Sequence, residues 1–554
     1  MPMKYYGIYL AYAPSLDLRH EGLGRYLAAF VKGASLREDV RFVLVCPSWS
    51  RQGIAELFAS EGIPEEKLEI VSPAKKPLVL RVYEAYLERK KRNNKSRLVQ
   101  WMNTKIAKFK TALSNHVEHR LVATQSVLDV LWLLVEGLAA LAVIAIISPV
   151  IIAILFGFGL VKAPKIARRV LRRVFRRFGV VSSRVGVAVE EPKDDAFVLR
   201  LYKRMESIES EKMLKLINAQ KKVKAWYSPT AFWPEFNKIS APRLMCVPDV
   251  VLSDFPVEFS ALGGDRYMQT FESVRRAIQT GQNFITYSEA IKWETLVDQY
   301  SVKPSDVTVI HHAPNMLHKW VTTRGFADLV ETSKNYCWVL LSSAMRKSSN
   351  RHYASGFKNS SFKFMFYASQ FRPNKNLLML LKAYEYLLRN RFLSHKLILT
   401  GDSSKFPVVK KFIAEHGLQN DVLCLHGLSI QELAACYKLA DLAVNPSLSE
   451  GGCPFTFTEA LSVDTPVVMA RIPVTEEILN QPEIQDTTFF DPYDWEDMAR
   501  RIEWALLHRE ELLVQQKAIY ERLIQRTWTD VVNEHITVLD AISAEAGNPS
   551  EVHS

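Results

Sequence analysis

The sequence predicts an α/β protein with two doubly wound domains, each a parallel sheet covered by helices. Short β-rich runs alternate with helical stretches, as in parallel strands joined by crossover helices. The chain has 554 residues, too many for one core at roughly 100 to 200 residues per domain. Its hydrophobic content is 48%, with 25 Pro and 22 Gly. This composition is typical of a globular protein and excludes disorder or a polytopic membrane protein for the whole chain.

The predicted strands fall into two sets. The first comprises residues 5–11, 41–46, 68–71, 222–227, 243–247, 283–287 and 307–311. The second comprises residues 362–367, 396–400, 422–426, 442–445 and 466–469. We therefore expect a first domain over residues 1–315 with a helical insertion at about 80–220, a second domain over 316–530, and a C-terminal helix or tail over 531–554.

Cysteine usage and the start of the chain indicate the compartment. The six cysteines are dispersed, with no pair at Cys-x-x-Cys spacing. This argues against a zinc site or a disulfide framework and is typical of a reducing compartment. Residues 1–13 contain a short apolar stretch interrupted by tyrosines and followed by Pro14 and Asp17. That pattern indicates a strand and not a secretion signal, so we expect a cytoplasmic chain.

The net charge of +12 is concentrated in one region of the sequence. Residues 75–177 carry 21 Lys and Arg against 5 Asp and Glu. Within them, residues 137–161 form an uncharged run of 25 residues, longer than the roughly 20 needed to cross a bilayer. Eight cations then recur at helical spacing with apolar residues between them: Lys162, Lys165, Arg168, Arg169, Arg172, Arg173, Arg176 and Arg177. We interpret residues 131–178 as a membrane contact that ends in a basic amphipathic helix for anionic headgroups.

The predicted sheet constrains how this segment meets the membrane. A single crossing would place the strands before and after it on opposite sides of the membrane, although one sheet contains both. Two full spans need about 40 residues and a turn, so we favour a re-entrant or interfacial hairpin bent near Ser148 and Pro149, where proline removes a helix hydrogen bond. A buried core helix with a solvated arginine face is the first alternative. A nucleic-acid patch is a less favoured one.

The segment that carries most chemistry follows the predicted strand 442–445 and opens a helix. It reads Ser-Leu-Ser-Glu-Gly-Gly-Cys-Pro-Phe-Thr-Phe-Thr-Glu over residues 447–459. A strand, a glycine turn and a helix point backbone N–H groups and a positive helix end at phosphate. Glu450 and Glu459 bracket the turn, and carboxylates accept hydrogen bonds from the paired hydroxyls of a sugar or ribose.

This segment resembles the signature of the retaining glycosyltransferases of family four, which have the GT-B fold of two facing Rossmann-like domains. In the first domain, Glu-Gly-Leu-Gly-Arg-Tyr at residues 21–26 resembles the glycine loop after the first strand, and Tyr-Ser-Glu at 287–289 resembles a late strand end. In the second domain, the resemblance extends over residues 362–367, 370–376, 399–402, 425–427, 432–437, 440–442, 490–492 and 526–528.

The resemblance implies a role for each matched residue. Glu450 would contact hydroxyls of the donor sugar, Glu459 the ribose, and Arg372 and Lys375 the diphosphate, with Asp249 a further catalytic candidate. The remaining donor-binding candidates are Gly22, Gly24, Gly451, Gly452, Cys453, Pro454, Phe455 and Thr456. The departing diphosphate gains negative charge, which two cations and a helix N-terminus can stabilise without a metal. We therefore expect no metal and no cofactor besides the nucleotide-sugar substrate.

Three positions depart from the family pattern. Eight residues separate Glu450 from Glu459, where seven are usual. Gln370 stands where many members have an arginine, and an arginine follows at position 372. Pro248 stands beside Asp249 in a stretch where the family often has a histidine.

We expect a retaining glycosyltransferase that moves a hexose from a nucleoside-diphosphate sugar to a membrane-resident acceptor. A lipid-linked glycan and a lipopolysaccharide or capsule precursor are the acceptor classes considered, with mannose suggested by the likeness of residues 370–376 to some mannosyltransferases. We place the chain on the cytoplasmic face of a membrane, such as a bacterial inner membrane, with anionic lipid and not nucleic acid as its partner. The alternatives are an inactive membrane-bound scaffold of the same fold and another GT-B enzyme, such as a nucleotide-sugar epimerase.

Overall fold

A computed structural model describes residues 3–14, 18, 22–78, 80–81, 197–263, 265–325, 327–348 and 362–547. The chain divides into two compact units, one of Met1–Pro73 with Ile208–Ser554 and one of Ala74–Ser207. The predicted membrane contact at 131–178, with its bend near Ser148 and Pro149, lies outside the described residues. Among the helices that are described, none is both long and apolar enough to cross a bilayer.

Seven parallel strands form the first sheet, in the order β3-β2-β1-β4-β5-β6-β7. The strands are β1 (Lys4–Tyr9), β2 (Val40–Val45), β3 (Leu68–Val71), β4 (Trp226–Ser228), β5 (Arg243–Cys246), β6 (Phe284–Thr286) and β7 (Val307–Val309). The helices that lie between these strands in the chain are α1 (Gly22–Ser35), α2 (Arg51–Ser60), α3 (Phe197–Asn218), α4 (Val251–Asp254), α5 (Pro256–Gly263) and α6 (Asp265–Gln279). A π-helical segment, Ile291–Gln299, precedes the last strand.

The second sheet has six parallel strands, in the order β10-β9-β8-β11-β12-β13. The strands are β8 (Phe364–Tyr367), β9 (Lys396–Thr400), β10 (Val422–Leu425), β11 (Leu442–Asn445), β12 (Val467–Ala470) and β13 (Phe489–Phe490). The helices of this part of the chain are α7 (Leu329–Met345), α8 (Leu377–Asn390), α9 (Pro407–Glu415), α10 (Ile430–Leu439), α11 (Phe455–Leu461), α12 (Pro473–Ile478), α13 (Pro482–Thr488), α14 (Trp495–Leu507), α15 (Arg509–Leu523) and α16 (Trp528–Gly547). Short 3-10 turns lie at Glu65–Lys67, Pro234–Lys238, Pro304–Asp306, His318–Trp320, Pro373–Lys375 and Ser403–Lys405.

Both sheets are buried on two faces, which explains their apolar strands. β8 reads Phe-Met-Phe-Tyr and β12 reads Val-Val-Met-Ala, with every residue buried. Parallel strands covered by helices on both faces read as continuous hydrophobic runs and do not alternate. The alternation of strands and helices therefore predicted the two-sheet α/β fold correctly, and each strand in the two predicted sets is present. The two-residue strand β13 was missed because so short a run carries no periodicity.

The last helix, α16, returns to the first sheet. Its residues Val531, Val532, Ile536 and Leu539 are buried in the same hydrophobic core as strands β1 and β2. Near its end, Asp540 accepts hydrogen bonds from Lys4 and from the hydroxyl of Tyr6, both on the first strand. The chain thus passes between the two sheet domains a second time, and the first core is complete only when the C-terminal helix is in place.

Removing a large side chain from α16 should therefore destabilise the core of the first sheet. Leu539 is fully buried, so Leu539→Ala should lower the free energy of unfolding by about 2 to 5 kcal/mol, through lost burial and the cavity left behind. Urea unfolding of the full chain measures this change. Leu507→Ala is the matched control, because Leu507 is 76% exposed and its truncation should change stability by at most about 0.5 kcal/mol. Equal effects of the two substitutions would contradict the assigned role of α16.

Candidate active site

The strand orders place a switch point in each sheet. In the first sheet, β1 pairs with both β2 and β4. In the second, β8 pairs with both β9 and β11. The connections leave such a point in opposite directions, and the crevice at the carboxyl ends of the strands is where ligands bind in open α/β sheets. The predicted site residues lie in loops at these strand ends or on the helices that follow them.

The loops after β8 and β11 are held together at the second switch point. The backbone N–H of Leu448 donates to the carbonyl of Asn374 at 2.8 Å. The hydroxyl of Ser447 donates to the carbonyl of Ser449 at 2.9 Å, and this closes a tight turn before Glu450. The Glu450 carboxylate is therefore positioned by a loop that the neighbouring strand's loop supports.

Lys375 and Glu450 form the central ion pair of the site. The Lys375 ammonium donates to Glu450 Oε1 at 2.9 Å and to the Ser447 hydroxyl at 3.1 Å. Each of the two charged side chains is only 20% exposed. The lysine follows β8 in the 3-10 turn Pro373–Lys375, and Asn376 behind it adopts a left-handed conformation at φ 52°. The structure thus joins the cation and the carboxylate that the sequence placed 75 positions apart.

Asp249 adds a second carboxylate from the first domain. It lies in the loop between β5 and α4, and burial raises its pKa above the ordinary value of 3.8. Lys375 and Arg372 lower this pKa by charge attraction, whereas the negative charge of Glu450 raises it. Asp249 therefore interacts electrostatically with the same lysine as Glu450, although it belongs to the other domain.

Arg372 lies apart from the ion pair. Its guanidinium donates to the amide oxygen of Gln370 at 2.8 Å, and the side chain is exposed. Gln370, which stands at the family's usual arginine position, thus orients the arginine two residues further on. Arg372 affects Asp249 electrostatically, which places it at the edge of the cleft.

The two central glycines of the turn are required by close approach and not by backbone conformation. A Cβ on Gly451 would lie 2.0 Å from the carbonyl oxygen of Pro248. A Cβ on Gly452 would lie 2.8 Å from Cβ of Tyr287 and 3.1 Å from the ring of His312. Since a real Cβ does not approach a backbone oxygen to 2.0 Å, any other residue at position 451 would push the first domain away from the turn.

Glu459 lies deeper than the turn, on α11, and is buried. Its Oε1 accepts hydrogen bonds from Arg25 at 3.1 Å and from the Asn315 side chain at 3.3 Å. Burial raises the pKa of Glu459, while the positive charge of Arg25 lowers it. Because Arg25 belongs to α1 of the first domain, this ion pair joins the two domains. Glu459 thus pairs with Arg25 of the first domain. The resemblance implies that the same carboxylate binds the ribose of the donor.

His312 packs beneath the glycine turn. Its ring lies 4.5 Å from the ring of Phe455, between ring centroids, and its Nδ1 lies 3.1 Å from the carbonyl oxygen of Ala313. Burial lowers the pKa of His312 to about 4, so the imidazole is neutral near pH 7. It acts as a packing residue at the junction between the two domains.

The remaining turn residues support this arrangement. Pro454 and Thr456 are buried at the start of α11, and burial raises the pKa of the Cys453 thiol to about 12. The thiol stays protonated at neutral pH, in agreement with its interpretation as a small filler. α11 has only seven residues, so any stabilisation that it offers an anion would come from the backbone N–H groups of its first turn more than from a long helix dipole.

The predicted glycine loop of the first domain has a local structural role. Gly22 begins α1, and a Cβ on Gly24 would lie 1.9 Å from the carbonyl oxygen of Leu18. Gly24 therefore allows the backbone of Leu18 to lie against α1. This contact accounts for the glycine without a ligand.

Further contacts close the cleft on its other side. The Glu477 carboxylate accepts the backbone N–H groups of Glu289 and Ala290, both at 3.0 Å. The hydroxyl of Ser288 donates to the Gly451 carbonyl at 3.2 Å. The hydroxyl of Ser449 donates to Asp254 at 3.3 Å. The two domains therefore meet along the whole turn.

The structure thus groups Glu450, Lys375 and Asp249 and places Glu459 and Arg372 at the borders of this group. The residues that the sequence did not single out are Arg25, Asn315, Ser447 and His312. Arg25 stands within the quoted glycine loop, but a pair separated by 434 positions has no sequence signal. Only the folded cleft identifies its partner.

Comparisons with known proteins identify one family that matches the second part of the chain. Residues 349–522 match the family described as Glycosyl transferases group 1. No curated protein matches the sequence. The matched region contains Arg372, Lys375, Glu450 and Glu459, and thus most of the second sheet's contribution to the cleft.

Two solved structures resemble the whole chain. One is the N-terminal domain of trehalose-6-phosphate phosphatase from Candida albicans, at 12% identity and a TM-score of 0.53, covering 98% of this chain and 97% of that one. The other is a mutant of S. aureus TarM, solved with Fondaparinux, alpha-GlcNAc-glycerol and UDP. It is 12% identical at a TM-score of 0.51 and covers 97% of this chain and 99% of that one. At this identity the similarity concerns the fold.

The two parallel sheets and these comparisons confirm the GT-B prediction. The group 1 domain shows that the chain is a transferase and that its reaction is sugar transfer. The prediction of a glycosyltransferase is thereby confirmed at this general level.

The raised pKa of Asp249 predicts a pH-dependent cost to stability. An acid whose pKa is higher in the folded state than in the unfolded state destabilises the fold at high pH. The cost in stability develops as pH rises from the unfolded pKa to the folded pKa, and it is absent below the unfolded pKa. Asp249→Asn should therefore raise the melting temperature near pH 7, because the substitution removes a carboxylate whose charged form is disfavoured by burial. The gain should shrink as pH falls toward 3.8, the ordinary value.

Thermal unfolding from pH 4 to 8 measures this difference. Asp298→Asn is the control, because Asp298 is exposed on the π-helical segment and its substitution should change stability little at any pH. A lower melting temperature for Asp249→Asn at pH 7 would show instead that attraction to Lys375 outweighs burial.

Proposed function

We propose that this protein is a retaining glycosyltransferase that transfers a hexose from a nucleoside-diphosphate sugar to a lipid-linked acceptor at a membrane surface. The lipid-linked acceptor belongs to a glycan, lipopolysaccharide or capsule pathway in this proposal. Mannose is the favoured hexose, on the local likeness of residues 370–376 to some mannosyltransferases. No metal takes part in the step.

The observation that carries the proposal is the Lys375–Glu450 pair, at 2.9 Å beside a glycine turn. A carboxylate that receives sugar hydroxyls and a cation that receives phosphate are the two groups a sugar-diphosphate donor needs together. In the structure, the Lys375 ammonium donates its hydrogen bond to the Glu450 carboxylate, and the two charges offset each other. A donor that supplies both a phosphate and hydroxyls can replace this contact on each side.

In the proposed step, Lys375 stabilises the charge that develops on the departing diphosphate. Preorganised donors and cations directed at developing charge supply a large part of enzymatic rate enhancement. N–H groups at the start of α11 add to this stabilisation without reorganisation. Because α11 has only seven residues, Lys375 would supply most of the electrostatic stabilisation.

Asp249 serves the acceptor side in the proposed mechanism. It comes from the first domain, and its pKa is raised by burial, which makes it a better proton acceptor than an exposed aspartate. A general base works best when its pKa approaches the working pH. In the proposed step, the bond from the anomeric carbon to the diphosphate breaks and the acceptor hydroxyl attacks from the same face, so the configuration is retained. Asp249 would accept the proton of that hydroxyl as the new glycosidic bond forms.

Membrane association is proposed from the sequence at 131–178. The uncharged run and the basic helix after it would hold the first domain against the anionic cytoplasmic face of a membrane. An acceptor in that membrane would then be held at the same surface as the enzyme. A soluble acceptor, or an epimerase acting on a free nucleotide sugar, would gain nothing from this anchor.

Loss of either member of the central pair should abolish most turnover. A thermal shift with uridine, guanosine and adenosine diphosphate sugars first identifies a donor, since a ligand of the folded state raises the melting temperature. With that donor, Lys375→Met and Glu450→Gln should each lower kcat for transfer or donor hydrolysis by roughly 10² to 10³. Steady-state assay of released nucleoside diphosphate measures both.

Two substitutions elsewhere in the second domain serve as controls. Lys438 pairs with Asp464 and Glu503 pairs with Arg391, both on the surface. Lys438→Met and Glu503→Gln should therefore keep wild-type kcat. Wild-type activity in Glu450→Gln would contradict the role assigned to this carboxylate. No transfer or donor hydrolysis by the wild type, together with no melting shift with any donor, would support the inactive scaffold instead.

The membrane proposal predicts binding to anionic vesicles that depends on the basic helix. Replacing Arg168, Arg169, Arg172 and Arg173 by Gln should weaken vesicle binding by roughly three orders of magnitude, at about 1 kcal/mol per cation. Co-sedimentation with anionic and neutral vesicles measures this loss. Tighter binding of the wild type to duplex DNA or RNA than to anionic vesicles would identify a nucleic-acid partner instead.

A further inference from the structure

Asn376 directly follows Lys375 and makes a contact that the proposed donor site does not use. It is only 9% exposed, and its amide Nδ2 donates a hydrogen bond of 2.7 Å to the backbone carbonyl of Pro492. The two residues are 116 positions apart, so this bond joins the loop after β8 to the loop after β13. The residue next to Lys375 is therefore fixed from another part of the second sheet domain.

The side chain of Asn376 is not used to cap the helix that it precedes. Asparagine is among the favoured residues at the position before a helix, where its side-chain oxygen accepts a backbone N–H of the first turn. Asn376 stands at this position before α8, yet its side chain makes no capping hydrogen bond. The amide is instead directed at Pro492, and it constrains how the two loops lie relative to each other.

The loop that contains Pro492 is itself well supported. The backbone N–H of Asp491 donates to the Asp497 carboxylate at 2.8 Å, and the backbone N–H of Tyr493 donates to the Asp491 carboxylate at 2.8 Å. Pro492 is buried. Helices α8 and α14, which follow the two loops, bury residues in the same hydrophobic core. The Pro492 carbonyl is thus a fixed point against which the Lys375 loop is held.

The backbone of Asn376 determines how the chain continues after Lys375. Lys375 ends the 3-10 turn Pro373–Lys375, and Asn376 then adopts φ 52° and ψ 34°, in the left-handed region. Glycine, asparagine and aspartate are the residues that adopt this conformation most readily. An asparagine here provides both the conformation and an amide that holds it. Because Lys375 is the adjacent residue, a change in this backbone would move its ammonium away from Glu450 and Ser447, which lie at 2.9 and 3.1 Å.

We propose that Asn376 is a positioning residue for the transfer reaction. Through its hydrogen bond to Pro492, it holds Lys375 where charge develops on the departing diphosphate. This inference rests on the proposed function, and it adds a residue that acts through the lysine and not on the donor itself. The loop after β13 thereby contributes to the reaction through the Pro492 carbonyl.

Asn376→Gly in the full chain tests this inference, because glycine adopts the left-handed conformation readily and lacks the amide. The substitution should lower kcat for transfer roughly tenfold, since small displacements of a catalytic group are costly. KM for the donor should change less than roughly threefold, because the aligned lysine acts on charge that develops as the bond breaks. Added to Lys375→Met, the same substitution should have no further effect on kcat, because the side chain that it positions is absent. Steady-state assay of released nucleoside diphosphate measures the two single variants and the double variant.

Asn237→Gly is the matched control. The amide of Asn237 also donates to a backbone carbonyl, that of Ala277, at 2.8 Å, but this bond lies within the first domain. Its loss should lower the melting temperature and leave kcat at the wild-type value. Asn376→Asp, which keeps the shape of the side chain and removes its N–H donors, gives a second test if Asn376→Gly does not fold. A further loss of kcat when Asn376→Gly is added to Lys375→Met would show a general structural role and overturn the inference.

A measurement without turnover separates this inference from the proposed function. Acetylation of Lys375 by acetic anhydride, followed by peptide mass spectrometry, reports how firmly the ammonium is held beside Glu450. Asn376→Gly should speed this modification roughly threefold or more, because a loop that has lost its hydrogen bond opens to solvent more often. Lys396 is the internal reference, since it is 25% exposed and pairs with Asp421 at 2.6 Å, and its rate of modification should not change.

Failure of the inference and failure of the proposed function give different results. Faster modification of Lys375 in Asn376→Gly, in a protein that transfers no sugar, would support the positioning contact and refute the function. Sugar transfer at the wild-type rate in this variant, with unchanged modification of Lys375, would leave the function standing and refute the role of Asn376.

Discussion

The site depends on a contact that leaves no room for a side chain. Where the turn after β11 meets the loop after β5, a Cβ on Gly451 would lie 2.0 Å from the Pro248 carbonyl oxygen. This approach brings Glu450 of one domain and Asp249 of the other to the same lysine. Without it, the two sheets would still fold around their own cores, but the charged groups would not form one cluster. The close packing of the Gly451 backbone against the Pro248 backbone thus determines how the charged groups of the site are placed.

The cleft has little cationic charge for the carboxylates it contains. Lys375 serves both Glu450 and Asp249, and Arg25 serves Glu459. Burial raises the pKa of Asp249 and of Glu459 because the nearby cations only partly offset the lost hydration. Shifted pKa values of this kind are common at functional sites, where a ligand replaces the contacts that the charged side chains make with one another. A sugar diphosphate would supply both the phosphate and the hydroxyls for that exchange.

Several of the described contacts between the domains are single polar contacts, which favours movement between the domains. The Arg25–Glu459 pair, the Glu477 carboxylate on two backbone N–H groups and the Ser288 hydroxyl all cross the cleft. Contacts of this kind resemble transient interfaces more than a continuous core. Opening would release Glu459 and the turn together, and closure around a donor would assemble the site before transfer. The buried return of α16 into the first core keeps the two domains connected during such motion.

The sequence by itself determined the class of fold and most of the cleft residues. Alternating strands and helices predicted the two parallel sheets, and the spacing of a strand, a glycine turn and a helix identified Glu450, while the loop after β8 identified Lys375. These signals are local, because each depends on residues close together in the chain. Tertiary structure alone decided the partner of Glu459, since Arg25 lies 434 positions away. It likewise decided that Gly451 is required by Pro248 and that α16 completes the first core. Such features arise when distant segments are packed together, and no periodicity or spacing in the chain encodes them.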